Sequence, residues 1–162
     1  MTVDAVVDVV KQVAGSGTSL SAESLAAVFE RSGWNPSGST TLPFPRRWRH
    51  GTLQASILSE GDEDLLEFVF HMIPPDWSVQ EYADAIDGEY SAEVQRLHGV
   101  SAELLESLTG EFDVEPYPEV KEDAVDFIES ACWKIERSYL SVGVAHADED
   151  MPILLLARLR QG

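Results

Sequence analysis

His146 followed by Asp148-Glu149-Asp150 is the densest local group of metal-ligand types in the chain. Imidazole and carboxylate together suit a divalent cation, so His146, Asp148 and Asp150 are the residues on which a metal-dependent enzyme would rest. The spacing is not that of a twelve-residue calcium loop, and no second His–carboxylate group stands by to complete a shell. A hairpin turn also needs polar residues, and on that ground no metal and no cofactor is expected here. Glu60-Gly61-Asp62-Glu63-Asp64 reads the same way, as a solvated turn.

Other chemistry finds less support. Cys132 is the single cysteine, so no intramolecular disulfide can form, and an acidic chain offers a thiolate little activation. No Gly-x-Ser-x-Gly elbow occurs. Gly15-Ser16-Gly17-Thr18 lacks the Gly-Lys-Ser/Thr ending of a phosphate-binding loop and reads as a linker. No catalytic motif is present, which points to a non-enzymatic protein.

Charge is the unusual property. The 162 residues hold 29 acids against 11 bases, a formal net charge of −18. Between Arg49 and Arg96 there is no Lys or Arg, but there are eleven acids: Glu60, Asp62, Glu63, Asp64, Glu67, Asp76, Glu81, Asp84, Asp87, Glu89 and Glu93. Such a field repels phosphate backbones and anionic lipid, so neither nucleic acid nor a membrane is an expected partner. A basic protein is. Steering by the acids, then anchoring by aromatics, would use Asp76, Trp77, Asp84, Asp87, Glu89 and Tyr90, although the helical spacing of Trp77 and Tyr90 equally fits a place in the core. An immunity protein or antitoxin neutralising a toxin is one concrete form, and a secretion-type chaperone or oligomerising domain is another. General salt adaptation is the bland account of the same acids. The one basic cluster, Arg46-Arg47-Trp48-Arg49, is either a docking site for an anionic group or an intramolecular clamp on nearby carboxylates.

These residues need a scaffold. The acidic start and the lack of a long apolar run predict no signal peptide and no membrane span, hence a cytoplasmic protein, monomer or homodimer. Val3, Val6, Val7, Val10 and Val13 share one helical face. Ser21 caps a second helix, and Ser78 with Glu81 makes a capping box for a third, bent or split near Gly88 and ended at Gly99. Ser101 opens a shorter helix, and Val120, Ala124, Phe127, Ile128, Ala131 and Ile135 predict a last one over 119–137. Residues 34–50 read as a loop with one short extended piece. Strands are expected over 52–59 and 65–72, over 139–146, and in the apolar run from Ile153 to Leu159, which reads as an inner strand. The expected fold is a single α+β domain: a mainly antiparallel four-stranded sheet of two hairpins, packed with four to five helices.

Overall fold

β-branched valines are indifferent helix formers, so the first helix depends on what it buries. In the computed structural model, which describes residues 3–38, 43–117 and 127–161, α1 (Asp4–Ser16) buries Val6, Val7, Val9, Val10 and Val13. Gly17 ends it at φ 64°, returning its N–H to the Val13 carbonyl. Helix α2 (Ala22–Arg31) starts where Ser21 Oγ accepts from the Ser24 N–H, and it buries Leu25, Val28 and Phe29. The capping box of Ser78 and Glu81 opens α3 (Val79–Thr109).

Eight strands make one sheet: β1 (Asn35–Pro36), β2 (Arg47–His50), β3 (Leu53–Glu60), β4 (Glu63–Ile73), β5 (Val114–Pro116), β6 (Phe127–Ile135), β7 (Ser138–Ala145) and β8 (Ile153–Gln161). The order is β1-β2-β3-β4-β8-β7-β6-β5, antiparallel throughout. The apolar run β8 is an inner strand, paired with β4 on one side and β7 on the other. Both edge strands are two or three residues long and contain a proline, Pro36 and Pro116.

Register sorts the side chains. The row Trp48–Ala55–Phe68–Ala157–Val142–Ala131 crosses six strands on one face. That face forms a single cluster with the apolar sides of all three helices. The neighbouring row, Arg47–Ser56–Glu67–Arg158–Ser141–Cys132, lies on the opposite face. Leu65, Ala145 and Leu156 are buried on that second face, outside the main cluster.

The four-stranded expectation is therefore wrong, and so is the helix count: among the described residues there are eight strands and three helices. Three local misreadings explain the difference. First, a loop with one short extended piece understates 34–50, which holds two sheet strands: β1 pairs with β2, and Arg47-Trp48-Arg49 alternates out, in, out and pairs with β3. Second, Gly99 and Ser101 suggest a helix boundary by residue type, but Leu97, Val100, Leu104 and Leu108 keep burying the same side, and one helix runs through. A mid-helix glycine costs about 1 kcal/mol, less than the burial of one such leucine returns. Third, Phe127, Ala131 and Ile135 fit a helical period as well as a strand period. Trp133 decides between them: it is buried beside Ala131 and Ile135, which only alternation allows. Glu119, Val120 and Ala124 lie outside the described residues.

Candidate interaction surface

Three histidines join α3 to the sheet. His71, just past a bulge in β4, donates Nδ1–H to Glu93 Oε2 at 3.0 Å. Glu93 is 1% exposed, and its Oε1 lies 2.9 Å from Arg96 Nε, at ion-pair distance but off the hydrogen-bonding line. His98, on α3 itself, meets Glu129 of β6 at 2.9 Å.

The third, His146, ends β7 and has the fullest surroundings. Its Nε2 is 3.0 Å from the Met151 carbonyl, which can only accept, so Nε2 carries the proton. Nδ1 is then the acceptor for the Tyr90 hydroxyl at 2.6 Å. Three rings surround the imidazole, with centroids at 5.6 Å (Tyr90), 6.2 Å (Tyr82) and 6.3 Å (Trp77). Trp77 and Tyr82 meet edge to face at 5.8 Å, as the hydrophobic staple outside the capping box. Burial pushes the Tyr90 phenol up to about 12, helped by its hydrogen bond with Tyr82 and the nearby charge of Asp87.

This hub gathers carboxylates far apart in sequence. Asp76 precedes Trp77, Asp84 and Asp87 lie on the first turns of α3, and Asp148, Glu149 and Asp150 form the turn whose Met151 carbonyl His146 holds. All six are exposed, and none has an ion pair within the described residues. The other half of the acidic stretch is different. Glu60 and Glu67 are bound to Arg158 at 2.9–3.0 Å, Glu60 also meets Arg160 at 2.9 Å, and Glu81 caps α3. The molecule's own arginines therefore hold Glu60 and Glu67 of the β3–β4 hairpin, while Asp62 and Asp64 there, like the six acids near α3, have no ion pair among the described residues.

The expected site residues divide accordingly. Asp76, Asp84 and Asp87 are exposed and Glu89 is half-exposed. Trp77 and Tyr90, expected either as exposed anchors or as core, are half-buried against the core beside His146, which Tyr90 bonds directly. Sequence alone had set the Asp148–Asp150 turn apart from the α3 acids. Only the placement of His146 beside Trp77, Tyr82 and Tyr90 unites them, and no local motif signals it.

The metal reading loses its imidazole, because both His146 nitrogens are already engaged. No group of three His, Cys, Asp or Glu suited to a metal ion occurs among the described residues. Strand β8 is paired on both sides, so Ile153–Leu159 does not complete a sheet across subunits. In the basic cluster, Trp48 is 1% exposed and stacks on Phe29 at 4.1 Å, so it is core and unavailable for docking. Arg46 reaches Ser59 Oγ at 3.4 Å, while Arg47 and Arg49 are exposed without an ion pair in the described residues, so the clamp is at most partial. None of the described helices is long and apolar enough to cross a membrane.

Comparison with known protein families, curated proteins and solved structures finds no match.

Proposed function

We propose that this chain is a non-enzymatic binding module that captures a basic protein, as an immunity protein or antitoxin would capture a cationic toxin. One observation carries the reading: six exposed carboxylates lie on the three segments that meet at His146 and have no ion pair among the described residues, whereas Glu60 and Glu67 of the β3–β4 hairpin are held by Arg158 and Arg160. These six acids accelerate encounter with a positive surface and select against anionic ones.

The chain itself, used as bait in extract of its source cells, tests this against the variant Asp84→Lys/Asp87→Lys, whose substitutions fall on exposed positions. A basic protein retained by the wild type and lost with the variant is the expected result, with an association rate falling at least ten-fold between about 0.05 and 0.5 M salt. A partner retained equally by both baits, at a rate indifferent to salt, refutes capture through this end.

A further inference from the structure

The second sheet face carries an apolar row at the same end of the molecule. Register places Met72 of β4 beside Leu154 of β8, Leu154 beside Ala145 of β7, and Ala145 beside Phe127 of β6. This is the face away from the helices, since Ala145 and Leu156 are buried without joining the helix-packed cluster. Its outer part is open. Met72 is 51% exposed, and Met151, two residues before β8 begins, is 50% exposed.

Exposed carboxylates without an ion pair among the described residues stand close along the chain to both methionines. Asp76 follows Met72 by four residues, and Asp148 and Asp150 precede Met151 by three and by one. An apolar centre with a charged rim is the build of a protein interface, and methionine's flexible, polarisable side chain adapts to varied partners. The rim's charge decides what can sit there. Anionic lipid is repelled, and a second copy of a chain at net charge −18 would bring acid against acid. We infer that Met72, Met151 and Leu154 form the apolar half of the docking surface, and that the partner presents an amphipathic basic segment: an apolar stripe for the methionines, with cationic side chains for Asp76, Asp148 and Asp150. This rests on the capture of a basic protein proposed above and specifies the chemistry of its contact.

Two probes separate the two claims: an 18-residue leucine–lysine peptide in amphipathic helical order, and an oligolysine of equal charge. Each is titrated calorimetrically into the wild-type chain and into Met72→Ser/Met151→Ser, whose fold is checked by circular dichroism. The wild type is expected to bind the amphipathic peptide about ten-fold more tightly than oligolysine, the worth of roughly 1.4 kcal/mol of added apolar burial. The double variant should lose most of that preference and keep its oligolysine affinity. Equal affinity of the wild type for both peptides, or a preference the double variant retains, overturns the inference and leaves acidic capture standing. Failure of both peptides to bind at low salt takes down the capture reading as well. A wild-type dimer that the double variant dissolves would assign the patch to a second copy and also overturn the inference.

Discussion

The acidic end contains its own probe. Of the four tryptophans, Trp34, Trp48 and Trp133 are 3%, 1% and 8% exposed, and only Trp77 is partly open to solvent. A small cation should quench its fluorescence more readily than a small anion, because the local field enriches one and excludes the other. Each carboxylate at about 10 Å contributes roughly 0.4 kcal/mol in water, reduced to about 0.15 by screening at 0.1 M salt. Six together give roughly 0.9 kcal/mol, an enrichment of about five-fold for a cation and equal depletion for an anion. At constant ionic strength, the ratio of caesium to iodide quenching, each taken relative to free tryptophan, should therefore be near 20. Asp76→Asn/Asp148→Asn/Asp150→Asn removes half of the charge and should bring the ratio to about five. At 1 M salt it should fall close to one. A ratio near one at 0.1 M, or one that the triple variant leaves unchanged, would show that these carboxylates do not act as a directed field.

Two further outcomes follow from packing and titration. A Cβ added at Gly143 would collide with the Phe127 ring (2.7 Å to Cε1) and stand 2.9 Å from the Glu129 carbonyl, so Gly143→Ala should destabilise by about 1–3 kcal/mol. For a chain of this size that is a Tm loss of roughly 3–10 °C by calorimetry, and an unchanged Tm would refute the contact. The Tyr90 phenol, raised to about 12 by burial, Tyr82 and Asp87, favours the protonated form in the folded state. The associated stability is complete below pH 10, the ordinary tyrosine value, and is lost as pH climbs through 12. Absorbance at 295 nm should show one late-titrating tyrosine that Tyr90→Phe removes, and a wild-type curve of uniform tyrosines would contradict the His146 hub.

What the sequence made legible were the signals that act locally. Ser21, the Ser78–Glu81 box, and Gly61 in the two-residue turn joining β3 to β4 are each satisfied by atoms within a few residues, so residue type alone marks them. The unbroken apolar composition of β8 likewise gave away its inner position. What escaped depended on distant partners. The β2 alternation has only one buried residue, Trp48, and its strand character comes from pairing with β3. Strand β6 is fixed by β7 and β5 against an equally good helical period. At the candidate surface the individual acids could be named, but the charges that cancel were not separable from those that persist. Arg158 reaches Glu60 and Glu67 across 98 and 91 residues, and no short-range pattern announces such a pairing.

The stunted margins of the sheet bear on how any partner could be recognised. With Pro36 and Pro116 in the outermost strands of the described sheet, little main chain remains there for an incoming strand to zip onto. Contact then falls to side chains, and its selectivity can be retuned by single substitutions without disturbing the backbone ladder.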